Sequence, residues 1–163
     1  MNTAGISKTL ATLLAELVNG ASKDGGYMLN PGDEGLLRSL DKLSATEASA
    51  LTPTGSSIAA HVDHVRYGLS LMNRWSAGEN PFAGADWSPS WRRTTVSEAE
   101  WRQRLADLGS EASRWLAAVA QPRDVDEIAL NGMIGSIAHL AYHLGAMRQI
   151  NQSLRGPAEG AAK

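Results

Sequence analysis

Two of the chain's four histidines, His139 and His143, stand four residues apart. On an α-helix this spacing places both imidazoles on one face, one turn apart, with about 6 Å between their Cβ atoms. Two imidazoles in this arrangement can bind one metal ion. No charged residue lies between Met133 and Met147, so the helix that carries the pair is expected to be largely buried.

The other two histidines, His61 and His64, also lie close together, in a segment with a helical apolar period. A single buried histidine commonly does no more than complete a hydrogen bond in the core. Here all four histidines fall into two short clusters, isolated buried imidazoles are costly, and neutral imidazole is the commonest metal ligand in proteins. The clustering therefore favours a metal site.

The composition limits which chemistry is available. The chain has no cysteine, which excludes a disulfide framework, thiolate metal ligands and a cysteine nucleophile. A formal net charge of −2 with 20% charged residues predicts no nucleic-acid partner. No apolar run reaches transmembrane length and the first twenty residues lack the features of a signal peptide, which predicts a cytoplasmic protein without a membrane partner.

Four long segments with helical periodicity can position the histidines, and no segment reads as a convincing strand. The length of 163 residues is that of one domain, taken as residues 1–163. One or two short helices are expected between residues 35 and 51. The four long helices are predicted at residues 6–19, 57–75, 97–120 and about 128–154.

The second long helix carries one of the histidine clusters. A helical wheel at about 100° per residue places His61 and His64 within the apolar arc, whereas Asp63 and Arg66 fall on the opposite, polar face. Both histidines are therefore predicted to point inward. Amphipathicity does not say which of the two is the metal ligand and which is its neighbour in the pocket.

A long crossover, residues 76–96, connects the second and third long helices. Connections of this length without a sustained period are uncommon unless they serve a site or make a long crossing. Its apolar residues include Phe82, Trp87 and Trp91, so the segment is expected to fold back on the protein. Either it forms a hydrophobic lid over one end of the bundle, or Trp87 or Trp91 lines a substrate pocket.

Long helices joined by two short connections and one long crossover predict an all-α bundle, in which sites form from inward side chains on facing helices. Two metal chemistries do not fit. A di-iron bundle needs a glutamate three residues before its histidines, and neither His64 nor His139 has one. A zincin needs a glutamate directly after the first histidine of H-x-x-x-H, where this chain has Leu140.

The order of these residues resembles the DinB and YfiT-like superfamily over about residues 6–154. The resemblance rests on the helix order and on the pattern Ser57, His64, His139, His143, Gly145, Arg148 and Gln149. It implies a four-helix bundle of up-down-down-up type that forms homodimers and binds a divalent metal through one histidine on the second helix and two on the last. Carried over to this chain, those ligands are His64, His139 and His143.

The same resemblance implies a range of activities. Members of the superfamily include metal-dependent hydrolases, thiol-dependent S-transferases and a mycothiol-dependent isomerase. We therefore expect an enzyme acting on a small-molecule substrate by hydrolysis or thiol transfer, with a low-molecular-weight thiol in the second case. Three imidazoles leave open positions on a metal, as catalytic sites do, and they suit Zn, Ni, Fe or Cu. The alternative is a metal- or ligand-binding stress-response bundle without turnover.

Two further roles stay open in the sequence. His61 is either a general base or a neighbour that supports the metal site or the core. Small residues on the last helix permit close helix packing, either within the bundle's own core or in the two-fold homodimer that the resemblance implies. These small residues are Gly135, Ala138, Ala141, Gly145 and Ala146.

Overall fold

The computed structural model describes residues 3–158, and these residues form helices, turns and loops without a strand. This confirms the all-α prediction. The helices are α1 (Thr3–Asn19), α2 (Gly35–Leu40), α3 (Ala45–Ala48), α4 (Ile58–Ser76), α5 (Ser88–Arg92), α6 (Glu98–Ala120) and α7 (Glu127–Ile150), with 3₁₀ turns at Pro81–Gly84 and Gln152–Leu154. None of these described helices combines the length and apolar character needed to cross a membrane.

The described chain divides into two compact units. The first consists of residues 3–42 and 119–158 and contains α1, α2 and α7. The second, Leu43–Ala118, contains α3, α4, α5 and most of α6. The single domain of residues 1–163 and the up-down-down-up bundle stay predictions, and residues 1–2 and 159–163 lie outside the described part.

In the first unit, α1 packs against both α2 and α7. Its core is made of aliphatic side chains that are almost fully removed from solvent, each of which contributes about 1.5–3 kcal/mol through burial. These core residues are Leu14, Leu17, Val18, Leu36, Leu40, Met133, Leu140 and Leu144.

One buried carboxylate fixes the glycine-rich connector that follows α1. The Glu16 side chain is 6% exposed, and its oxygens accept hydrogen bonds from the backbone amides of Tyr27 (2.9 Å), Met28 (2.7 Å) and Leu29 (2.6 Å). A Cβ atom at Gly26 would overlap this carboxylate. Glu16 thus supplies the hydrogen-bond partners that the connector cannot find within itself.

In the second unit, the indoles of α6 form the centre of the core. Trp101 and Trp115 are fully buried, and Nε1 of Trp101 donates a hydrogen bond to the Leu43 carbonyl at 2.8 Å. A buried tryptophan usually finds such a partner for its N–H, because burying an unpaired donor costs free energy. The core also includes Ile58, Ala59, Val62, Val65, Leu69 and Leu108.

The starts of the two longest helices in this unit follow from local capping. The Ser57 side chain accepts from the amide of Ala60 at the start of α4. Ser97 and Glu100 exchange hydrogen bonds with each other's backbone amides at the start of α6. Both helices therefore begin within one residue of the predicted positions, because an N-cap, alone at α4 and as part of a capping box at α6, is fixed by adjacent residues.

Two predicted bounds of the long helices differ from the structure by more than one residue: α1 begins at Thr3 rather than at residue 6, and α7 ends earlier than predicted. The last helix ends at Ile150 rather than Leu154, since Asn151 is extended (φ −131°, ψ 110°) and its side chain accepts from the amide of Ser153 to begin a 3₁₀ turn. The crossover also has its own structure, because α5 and the turn Pro81–Gly84 lie within residues 76–96.

The expectation that the last helix is largely buried is wrong for one of its faces. Ile128 is 75% exposed, Ile134 49% and Tyr142 69%, and Gly135 and Gly145 are exposed as well. An uncharged, partly apolar stripe therefore runs along the outside of α7. The opposite face of the helix carries its buried residues, among them His143.

Candidate metal centre

The paired histidines of α7 meet through the same ring atom. Nε2 of His139 and Nε2 of His143 lie 3.0 Å apart, and the rings are nearly perpendicular at 82°. His143 is 3% exposed and His139 is half-buried. Burial lowers the pKa of His139 below its ordinary range, which favours the neutral imidazole that metal ligation requires.

His64 on α4 completes a group of three. One ring nitrogen from each of His64, His139 and His143 lies within 4.8 Å of the others, and this group could hold a metal ion. Two nitrogens bound to one zinc ion in tetrahedral geometry lie about 3.3 Å apart. The 3.0 Å pair already has nearly this spacing.

Aromatic side chains of the crossover surround His64. The Trp87 ring lies 5.0 Å from the His64 ring, and the Trp91 ring lies 4.6 Å from it at 35°. Trp87 also contacts Tyr67 edge to face at 5.2 Å. The structure therefore places both tryptophans that the sequence singled out against a candidate ligand. Their role in a substrate pocket stays a prediction.

His61 lies one turn before His64 on α4 and is 7% exposed. Its ring contacts Trp91 edge to face at 5.0 Å. Burial lowers the pKa of His61, so the imidazole is neutral at physiological pH and can accept a proton. Among the described residues, the group with metal-binding geometry contains His64 and not His61.

Ser90 on α5 contacts the site but was not predicted from the sequence. It is 4% exposed. Its Oγ lies 3.3 Å from Nδ1 of His64 and 2.7 Å from the Trp87 carbonyl oxygen. Its position beside His64 could not be predicted from the sequence, because α5 is a helix of five residues in a segment without periodicity.

A second unpredicted feature is the burial of Asp63, which the helical wheel places on the polar face. Asp63 is 2% exposed, and its carboxylate contacts Arg66 at 3.0 Å and Arg93 at 2.5 Å. Arg104 donates to the carbonyls of Ala59 and Arg93, both at 3.1 Å. These contacts attach the segment after α5 to α4 and α6. The only trace in the sequence was the i,i+3 spacing of Asp63 and Arg66.

No family model, curated protein or solved structure matches the chain. Residues 3–158 themselves show an all-helical fold and a group of three histidines that could hold a metal ion.

Proposed function

We propose that the protein is a DinB-like metal-dependent enzyme that binds one divalent ion through His64, His139 and His143. The observation that supports this proposal most strongly is the grouping of these three imidazoles. The chain offers no thiolate ligand, so the histidines determine the choice of metal. Imidazole ligation suits Zn, Ni or Fe.

The proposed reaction is hydrolysis of a small molecule or transfer of a low-molecular-weight thiol to it. A divalent ion held by three imidazoles supplies a Lewis acid with open positions for water, a substrate anion or a thiolate. His61, neutral because of its burial, is the general base that would accept the proton of the attacking water or thiol. Trp87 and Trp91 pack against the His64 ring, and with this residue only 8% exposed they shield the ring from water.

Elemental analysis of purified variants tests the metal site. We expect one equivalent of divalent metal per chain in the wild type and none in His64→Ala or His143→Ala, with the helical circular dichroism nearly unchanged. The fold should persist because the cores of both units consist of aliphatic and indole side chains. His61→Gln is the matched control, a substitution of a buried histidine outside the group. A full equivalent of metal in either alanine variant would show that the ligand set is wrong.

A screen of the metal-loaded protein tests turnover. Ester, amide and lactone hydrolysis would be measured beside conjugation of electrophiles with low-molecular-weight thiols, with His143→Ala as the blank. Activity that disappears in the blank supports the enzyme. Full metal occupancy without turnover in any assay would instead support the alternative function, a metal- or ligand-binding stress-response protein.

We further propose that the protein forms a homodimer through the exposed stripe of α7. Several side chains on this stripe are apolar or small, as packed helix pairs require. A Cβ atom at Gly135 or Gly145 would meet nothing within 4 Å, so packing within the chain does not demand glycine at these positions. Close approach of a second helix would favour glycine there, because a small residue lets two helix backbones come near each other. The residues of the stripe are Ile128, Asn131, Ile134, Gly135, Ala138, Tyr142 and Gly145.

A further inference from the structure

Toward His64, the hydroxyl of Ser90 can only accept a hydrogen bond. Its Oγ lies 2.7 Å from the Trp87 carbonyl oxygen. A carbonyl oxygen can only accept a hydrogen bond, so the single hydroxyl hydrogen of Ser90 is donated to Trp87. The remaining capacity of Oγ is that of an acceptor.

This assignment determines the protonation of the histidine beside it. Nδ1 of His64 lies 3.3 Å from the same Oγ. Because Ser90 can only accept there, Nδ1 must carry the hydrogen, and a neutral imidazole with its proton on Nδ1 has its lone pair on Nε2. A metal ligand needs that lone pair.

The orientation of the His64 ring matters as well as its tautomer. The indoles of Trp87 and Trp91 lie against the imidazole at 5.0 and 4.6 Å, which restricts the plane of the ring. A half-turn about χ2 within that plane would place a carbon atom opposite Ser90 and lose the hydrogen bond. The contact with Ser90 therefore selects one of the two orientations.

We infer that Ser90 is a positioning residue that holds His64 in the Nδ1–H tautomer and presents Nε2 to the metal. This inference rests on the proposed function. It agrees with the geometry of the α7 pair, in which His139 and His143 also meet through Nε2. Partners of this kind, which donate to or accept from the second ring nitrogen of a ligand, orient the imidazole and fix its tautomer.

The tautomer of His64 can be measured without any metal. In the metal-free protein at about pH 8, above the ordinary histidine range, two-dimensional ¹⁵N NMR distinguishes a protonated ring nitrogen from one with a lone pair. A His64→Gln variant assigns the signals. We expect Nδ1 of His64 to be protonated in the wild type, and in Ser90→Ala the tautomers to mix or reverse. A wild-type His64 protonated on Nε2 would overturn the inference, whether or not the protein binds metal.

Metal affinity measures the consequence of this positioning. Ser90→Ala should bind zinc about 10-fold more weakly or worse, and Ser90→Thr, which keeps a hydroxyl, should recover most of the affinity. Ser39→Ala is the matched control. Ser39 is also buried, and it donates to the carbonyl of Gly35 four residues earlier; its loss should leave zinc affinity unchanged.

The two measurements separate the two claims. Wild-type zinc affinity in a folded Ser90→Ala variant would overturn the positioning role. Absence of zinc binding by the wild type would overturn the proposed function, while the tautomer measurement would still decide what Ser90 does. If Ser90→Ala does not fold, the wild-type tautomer and the Ser90→Thr affinity provide the same decision.

Discussion

At the scale of single residues, the sequence predicted the pair on α7 because i,i+4 spacing has a fixed geometric meaning on a helix. It could not choose between His61 and His64. Both lie in the apolar arc of α4, and in the structure both are buried, at 7% and 8% exposure. Only tertiary structure groups His64 with the pair. Ser90 was missed for the same reason, since its contact with His64 spans 26 residues.

The role of His61 can be isolated by substitution. If it is the general base, His61→Gln at saturating metal should lower turnover by about 100-fold or more and remove the low-pH limb of the rate profile. We expect this loss because burial holds the imidazole neutral. The measurement is the pH dependence of kcat at full metal occupancy, verified by elemental analysis. Unchanged turnover at full metal occupancy would exclude His61 as the general base. Its role would then be to pack against Trp91.

The lowered pKa values of two histidines should also make the metal-free protein sensitive to acid. Burial lowers the pKa values of His61 and His139 below the ordinary value of about 6.5. The unfolded chain therefore binds these protons at a higher pH than the folded protein does. The free energy of unfolding is therefore highest above about pH 6.5. It decreases as the pH falls from this value to the folded-state pKa values.

Urea titrations at intervals from about pH 5 to 8 measure this dependence. The free energy of unfolding of the wild type should decrease below about pH 6.5. His61→Gln should decrease less steeply because it lacks one of the two histidines. Equal slopes in the two proteins would argue against a depressed pKa at His61.

At the scale of elements, the starts of α4, α6 and α7 and the ends of α1, α4 and α6 were predicted to within one residue, whereas the start of α1 and the end of α7 were not. The starts of α4 and α6 depend on capping by Ser57 and Ser97, which are adjacent to the helices they cap. The predicted end of α7 was wrong because apolar spacing continues from Ile150 to Leu154. Leu154 is indeed buried, at 2% exposure, but it lies in the 3₁₀ turn after Asn151 and not in a further turn of the α-helix.

The connector after α1 should depend on a single carboxylate. Glu16→Ala would leave the amides of Tyr27, Met28 and Leu29 without their partner, and we expect a loss of about 2–4 kcal/mol in the free energy of unfolding. Glu79→Ala is the control. Its exposed side chain pairs with Arg74 and should contribute under about 1 kcal/mol. Equal losses in the two variants would contradict the role of Glu16.

The exposed stripe on α7 predicts a dimer that large, charged side chains would disrupt. Gly135→Arg and Gly145→Arg should each convert a dimer into a monomer, because a guanidinium would have to be buried without a partner in the helix contact. Analytical ultracentrifugation at micromolar concentration is the measurement. Ser113→Arg, on an exposed part of α6, should leave the mass unchanged. A wild type that sediments strictly as a monomer would refute the dimer.

At the scale of the whole molecule, the fold class was predictable, whereas the contacts between segments distant in the sequence were not. Helical periodicity and the absence of strand patterns are properties of each segment, and the all-α structure follows from them. The contacts of Glu16 with the connector amides and of Asp63 with Arg93 join residues that no local pattern connects. Both carboxylates are buried, although charged residues are ordinarily expected at the surface.

X-ray absorption spectroscopy of the zinc-loaded protein shows whether one metal ion binds to His64, His139 and His143. We expect three imidazole nitrogens among the zinc ligands, at about 2.0–2.1 Å from the ion, and fewer in His64→Ala reconstituted at high zinc concentration. His61→Gln should reproduce the wild-type spectrum. Fewer than three imidazole ligands in the wild type, or a number that His64→Ala leaves unchanged, would refute this ligand set.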